Sequence, residues 1–600
     1  MNTSRPYGLI FVLTLLMPAS SAPAAQRPNI LWIVAEDMSP TLGCYDDAFA
    51  ITPHIDQLAD EGVLYSKAFA TAPVCSPSRS CLINGLYAPS QGTHHMRSAF
   101  PIPIKMSGFP SLLRSAGYFT SNNVKTDYNS GNYKEITHAS WDECSDTAHW
   151  RDRKKDQPFF CIFNLMTSHQ SRTMVWPHEK FLSEVQSNLT ESEIHDPAKA
   201  VLPPYYPDTP VIRKTVARFY DCVTAMDKQV GAILKQLEDD GLLEDTIVFF
   251  YSDHGSGMPR HKRALLDSGM HIPLIVRFPN NFQNLASGKP GTKTARLVSF
   301  DDFGPTALSL AGVDVPDYMD GRSYLGSRQD KPREFVYGHR DRVDEVHDLA
   351  RCVRDDRYLY IRNFMPHFGY NQRTFWPDLG EIRHEFYRLA DPEKMTAPQW
   401  HFAGPSRPLE ELYDRQTDPL NLHNIADSKE HRKVLNKMRG ELFRHIRESR
   451  DLGFLPEALA WDISKETTLW ELARNDGAYN QLRLVQAAVQ VGQAEEQNFL
   501  TNLKHTDAGV RFWGAVGLTA SSSLTPRAVQ ALTTALSDTA IDVRIESADA
   551  LARHGHTKES VPVLAAALSD ANLAAVQHAA RTIELLGDRA KSAVPAMREC

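Results

Sequence analysis

The chain has 600 residues, 42% hydrophobic and 23% charged, the proportions of a globular protein too long for one ordinary core. The 65 basic and 73 acidic residues leave a formal net charge of −8, with no block of like charge. That balance gives no electrostatic case for nucleic acid, so a polyanionic ligand would have to be met by local basic clusters.

Residues 1–25 read as a secretory leader: Arg5, then the short apolar run Leu9 to Met17, then a small-residue cleavage site at Ala22-Pro23-Ala24. The run is too short to span a bilayer comfortably, and no later stretch is long and apolar enough. Export to the periplasm or beyond, without a stable membrane anchor, is expected.

Over 26–330 the pattern is that of a doubly wound α/β domain. Ile30 to Ala35 is a continuous apolar run, as expected of a central strand covered on both faces, and Glu36-Asp37 follow at its carboxyl end. A second run, Phe159 to Leu165, ends near His169; a third, Thr246 to Tyr251, ends at Ser252-Asp253-His254-Gly255. A helix is expected from Val216 to Leu237. Open α/β sheets bind ligands beyond the carboxyl ends of their strands, so the three polar ends predict one active edge. Over 331–455 shorter strand-like pieces (Tyr358 to Ile361, Glu411 to Asp414) and a basic helix at 430–449 indicate a smaller α+β subdomain. Over 456–600 a linker gives way to Ala- and Leu-rich helices. Val510-Arg511, Val543-Arg544 and Val576-Gln577 recur at a spacing of 33, a period similar to HEAT repeats and to an appended α-solenoid. Such arrays bind partners or scaffold. The eight cysteines (Cys44, Cys75, Cys81, Cys144, Cys161, Cys222, Cys352 and Cys600) lack CxxC pairs, so neither a zinc site nor a disulfide framework is legible.

The decisive segment is Cys75-Ser76-Pro77-Ser78-Arg79, followed by Leu82-Ile83-Asn84-Gly85. Read alone it is also compatible with a structural cysteine beside a proline. In context it resembles the CxPxR signature of the formylglycine-dependent sulfatases, and the resemblance runs in order from about Arg27 to about Ala426. It implies an alkaline-phosphatase-like mixed sheet and oxidation of Cys75 by a maturation enzyme. The resulting gem-diol attacks sulfur with one oxygen and expels sulfate with the other. Arg79 would hold the deprotonated diol.

The same resemblance implies a metal shell from Glu36, Asp37, Cys75 (as formylglycine), Asp253 and His254. Glu36 is one methylene longer than the usual Asp. The oxygen-rich set favours Ca2+, with Mg2+ second. Lys262, eleven residues before Pro273, takes the position of a sulfate-binding lysine, with Arg260, His261 and Arg263 as rivals beside it. Lys125, after Gly117-Tyr118-Phe119-Thr120, takes that of a second. His169 matches a position expected to touch sulfate or the leaving-group oxygen, and His169 or Lys262 would protonate that oxygen. Asp127 stands where the family has His, so either it or His94 or His95 would assist the nucleophile. Trp32, Tyr45, His94, His95, Arg97, Trp141 and His149-Trp150-Arg151 either line a sugar pocket or are ordinary core and surface.

The expected reaction is hydrolysis of a sulfate ester or sulfamate on a carbohydrate. Ile51 to Asp56 and the CSPSR core look like the heparan N-sulfatase branch. Two other readings stand beside it: a phosphoester hydrolase of the same superfamily, which would typically use Ser or Thr with two zinc ions, and a decayed glycan-binding scaffold.

Overall fold

The computed structural model describes Met1 and residues 27–600, so the expected leader lies almost wholly outside the described residues. No helix among the described residues is long and apolar enough to cross a membrane.

The principal sheet is built from β1 (Asn29–Ala35), β2 (Val63–Tyr65), β3 (Phe119–Asn123), β4 (Glu143–Cys144), β5 (Phe159–Leu165), β6 (Thr246–Ser252), β7 (Leu274–Arg277) and β8 (Thr292–Thr294). Their spatial order is β8-β2-β7-β6-β1-β5-β3-β4. All pairings are parallel except those of β7, which runs antiparallel to both β6 and β2. The sheet is therefore mixed.

Strand β1 is central, and alternation divides its side chains between two cores. Leu31, Ile33 and Ala35 pack with the long helix α2 (Pro210–Asp239) on one face. Ile30, Trp32 and Val34 pack on the other with α1 (Cys75–Asn84) and α3 (Phe303–Leu310). With both faces covered, all seven residues of β1 are buried. Register then sets the functional edge. Ala35 is level with Leu165 of β5 and Ser252 of β6, so the three following loops leave the sheet side by side.

The second unit is an antiparallel sheet of β9 (Val336–Arg340), β10 (Ala350–Arg354), β11 (Tyr358–Asn363) and β12 (Glu410–Asp414), in that order. Helix α4 (Arg432–Glu448) lays Leu435, Met438, Leu442 and Ile446 against Val353, Tyr360 and Leu412, the 3-4 spacing of one helical face.

The C-terminal region is helical. After α5 (Glu457–Ile463), the later helices include α6 (Ala508–Thr519), α7 (Pro526–Ala535), α8 (Ile541–Arg553), α9 (Thr557–Ala567) and α10 (Leu573–Leu586). Helix α8 packs between α6 and α10, and α7 and α9 lie against it. Asp507 and Asn572 cap α6 and α10, each accepting two backbone N–H bonds. The region does not stand free: Trp513 is 2% exposed, donates to Phe454 O at 2.9 Å and shares the core of the antiparallel sheet. All eight cysteines are free thiols.

Candidate active site

The loops after β1, β5 and β6 carry Glu36-Asp37, His169-Gln170 and Asp253-His254 to one edge. Their backbones are tied together. Asp37 N donates to Asp253 Oδ1 at 3.0 Å, and Gln170 N donates to Asp37 Oδ2 at 2.8 Å. Helix α1 reaches the same edge with its first residue, Cys75, the whole helix being buried. Polar neighbours converge on Cys75 Sγ: Lys262 Nζ at 3.1 Å, His254 Nε2 at 3.3 Å and Asp37 Oδ1 at 3.7 Å.

Two charge groups make up the site. In the first, Lys262 lies 2.8 Å from both oxygens of Asp37. In the second, the longer stem of Glu36 carries its carboxylate to Arg79 and Lys125, which bind its two oxygens. Arg79 also donates to Asn164 Oδ1 at 2.9 Å and reaches Asp253 Oδ2 at 3.4 Å. Glu36, expected in the metal shell, is thus engaged as the anchor of two cations.

Asp37, Cys75, Asp253 and His254 each offer one ligand atom, and these atoms lie within 4.8 Å of one another. Burial opposes ionisation of Asp37, yet Lys262, His169 and His254 hold its carboxyl well below the ordinary value. Burial also opposes charge on His254, but Asp253 and Asp37 raise it to about 10 despite Lys262, so the ring carries a proton that a bound cation would displace. His254 Nδ1 donates to Gly255 O at 2.8 Å, which turns Nε2 toward position 75. Two ionised carboxylates, an imidazole and position 75 fit a divalent cation. Burial raises the Cys75 thiol, but Lys125 and Lys262 together hold it below its usual range.

His169 stands at the rim of this group, its Nε2 3.9 Å from Asp37 Oδ2 and its Nδ1 2.8 Å from Ser171 Oγ. Burial lowers it to about 4 against the pull of Asp37, with Lys262 and Lys125 adding, so the ring is neutral at pH 7. The neighbours of Lys262 turn elsewhere. Arg260 donates to Leu420 O and Asn421 O, His261 pairs with Tyr205 OH at 3.0 Å, and Arg263 binds Gln170 and Asp344.

Asp127, half-buried on the loop after β3, makes no hydrogen bond to the Cys75 group. The rings of His94 and His95 are tilted against each other with centroids 4.2 Å apart, and His95 faces Arg342 and Glu457. Neither reaches Cys75. Trp32, Trp141 and Trp150 are core residues, Tyr45 bonds Tyr65 O and Leu274 O, and His149 and Arg151 pair with Gln236 and Asp240 at the end of α2. Arg97 alone of that set remains an exposed side chain near Cys75, its N–H bonded to Ser76 Oγ at 3.3 Å.

Two participants were missed in the sequence. Asn164 orients Arg79, and its signal was a lone amide inside the apolar run Phe159 to Leu165. Gln170 ties Asp37 through its backbone and accepts from Arg263 through its side chain, and no local pattern marks it.

Comparison with known proteins finds relatives along most of the chain. The sulfatase family model matches residues 28–313, and a model described as N-sulphoglucosamine sulphohydrolase, C-terminal, matches 258–394. An ulvan-active sulfatase of Formosa agariphila is 37% identical over 470 residues, covering 72% of this chain and 77% of its own. Human N-sulphoglucosamine sulphohydrolase is 25% identical, covering 71% of this chain and 91% of its own. A solved 2-O GAG sulfatase superposes with a TM-score of 0.51 at 21% identity, over 71% of this chain and 93% of its own, a likeness of fold. The chain belongs to the sulfatase family. It is a sulfuric ester hydrolase.

Proposed function

We propose that this sulfatase removes sulfate from a carbohydrate, as an ester or a sulfamate, after oxidation of Cys75 to formylglycine by a maturation enzyme. The observation that carries the reading is the convergence of Lys262, His254 and Asp37 on Cys75 Sγ at the first residue of a buried helix. Sulfated carbohydrate is the substrate class because relatives are named for ulvan and for N-sulphoglucosamine. A phosphate-ester reading would ask for Ser or Thr at position 75, and the residue there is Cys.

The proposed cation ligands are Asp37, Asp253, His254 and the oxygen at position 75, and their hardness favours calcium over magnesium. A divalent cation held there supplies positive charge against the sulfuryl oxygens. The hydrated formylglycine supplies the attacking oxygen and a second hydroxyl whose loss of a proton releases sulfate.

The chain's own groups do the rest. Arg79 and Lys125, fixed by Glu36, present two oriented cations to the diol and the sulfate without reorganising as charge shifts. Lys262 pairs with Asp37 and is the group with a proton to give to the departing oxygen or nitrogen. Neutral His169 orients that leaving group by accepting or donating one hydrogen bond.

The reading extends to the whole chain: a leader at 1–25 for export, a catalytic domain at 26–330, its α+β subdomain at 331–455, and a linker with a HEAT-like α-solenoid at 456–600 that offers a face to a protein partner. Mass spectrometry of the tryptic peptide ending at Arg79 tests the reading. An aldehyde at position 75 after co-expression with the maturation enzyme is expected, and an unmodified thiol there would overturn it. Desulfation of defined glycosaminoglycan and algal oligosaccharides then identifies the sugar.

A further inference from the structure

The 342–346 loop, between β9 and β10, packs directly on the chain leading into the nucleophile. Val343 is buried with Ala72, Val74 and Met96, and Val74 immediately precedes Cys75. Met96 N donates to Arg342 O at 2.9 Å. At the tip of the loop, Asp344 bonds Arg263 at 2.7 Å and lies 3.6 Å from Arg97.

Three arginines surround this loop, and they differ. Arg342 is buried and Arg263 largely so, and their guanidinium groups bind carboxylates on the protein. The Arg97 side chain is 73% exposed, and its one carboxylate partner among the described residues, Asp344, stands beyond the length of a charge-assisted hydrogen bond. Its backbone is held by the hydroxyl of Ser76, next to the nucleophile. Arg97 therefore offers a planar, permanently charged donor at the mouth of the site, tethered on one side and free on the other.

The loop is gripped by the C-terminal helices. Glu457, the first residue of α5, forms a two-pronged pair with Arg342 at 2.6 and 2.7 Å. Gln577 of α10 donates to Asp344 O at 3.0 Å, and the rings of His347 and His578 lie 4.5 Å apart. The repeat register makes Gln577 informative. At the two preceding copies, Arg511 and Arg544 bind Asp538 and neighbouring carbonyls within the tail itself. The third copy replaces Arg with Gln and turns the contact outward, onto the active-site loop.

We propose that Arg97, tethered by Asp344, binds a second oxyanion on the glycan beside the sulfated sugar, and that the helical tail positions it through Gln577 and Glu457. The oxyanion is a carboxylate or a further sulfate. The proposal rests on the glycan sulfatase reading above, and it makes Arg97 a specificity residue and Gln577 a positioning residue.

The test uses the full chain carrying Cys75→Ala, so that no turnover occurs, and calorimetry with three sulfated oligosaccharides. The sugar next to the sulfated one is neutral in the first, a uronate in the second and sulfated in the third. The otherwise unaltered protein should bind one or both anionic probes about tenfold more tightly than the neutral one. Arg97→Ala should abolish that preference while leaving affinity for the neutral probe within about twofold. Gln577→Glu, which cannot donate to Asp344 O, should shrink the preference and speed hydrogen exchange at the amides of 342–346. Gln577→Lys, which still donates, should restore both. Equal binding of the three probes, or a preference that survives Arg97→Ala, would overturn the subsite. Parental behaviour of Gln577→Glu, or no rescue by Lys, would overturn the role of the tail. Binding of none of the probes would count against the glycan reading itself.

Discussion

Lys262 Nζ is equidistant, at 2.8 Å, from the two carboxylate oxygens of Asp37, in a pocket where both side chains are almost completely buried. It also lies 3.1 Å from Cys75 Sγ, so one ammonium neutralises the Asp37 carboxylate and faces the Cys75 side chain. Lys262→Ala should lower kcat/KM by about a hundredfold or more, the loss expected when one preorganised charge is removed. A midpoint shift in urea should accompany it, because Asp37 is left buried without its partner. Parental turnover of sulfated substrate by this variant would exclude Lys262 from the reaction.

Asp253 belongs to both parts of the site, since it reaches Arg79 at 3.4 Å and is one of the four residues whose ligand atoms converge. Adding calcium to protein stripped with a chelator should raise Tm, because a ligand that binds only the folded state stabilises it by mass action. Asp253→Asn should weaken calcium affinity at least about tenfold, as loss of one charged ligand predicts, and flatten the thermal shift. An unchanged calcium response in the variant would remove Asp253 from the ligand set.

Glu411 of β12 is buried and accepts from Asn363 (2.8 Å), Tyr370 (2.6 Å), His401 (2.9 Å) and Tyr413 (2.6 Å). Burial opposes its ionisation, but His401 and the tyrosine hydroxyls lower the carboxyl from 4.5 to about 2. A depressed carboxyl stabilises the fold above its unfolded value and loses that contribution as pH falls. The stability from this group should be complete above about pH 4.5 and vanish toward pH 2, amounting to about 3 kcal/mol. Urea titrations at pH 7, 3 and 2 should show Glu411→Gln less stable than the parent at pH 7, with the gap cut to roughly half at pH 3 and nearly closed at pH 2. A gap that stays constant with pH would contradict this assignment.

Trp513 links the C-terminal helices to the antiparallel sheet, buried in the shared core and donating to Phe454 O. Trp513→Ala should cost about 3–5 kcal/mol, the range for emptying a large aromatic site. Because the core is continuous across residue 455, the tail and the antiparallel sheet should still unfold in one transition followed by circular dichroism and Trp fluorescence. Two separated transitions in the parent protein would show that the shared core does not couple them.

Much of the sheet was legible because apolar runs and their polar ends are local signals. The runs at 30–35, 159–165 and 246–251 are β1, β5 and β6 to within a residue, and the helix expected at 216–237 lies inside Pro210–Asp239. Glu36 was harder. Sequence placed it beside Asp37 at a strand end, but whether its carboxylate meets a cation site or two side-chain cations depends on Arg79 and Lys125, 43 and 89 residues away. Trp32, Trp141 and Trp150 were equally open, since an aromatic near a strand end suits a sugar pocket or a core until its neighbours are known.

The order of residues along the chain was enough to point to the sulfatase family: Cys75 ahead of Arg79, acids after apolar runs, and a lysine set back from Pro273. Those are short-range patterns, and each records a local requirement of strand, turn or reacting group. The packing of the C-terminal helix that carries Gln577 onto the loop beside Cys75 left no such mark. Gln577 and Asp344 are separated by 233 residues, and a contact of that span depends on how whole layers pack, which no window of sequence contains.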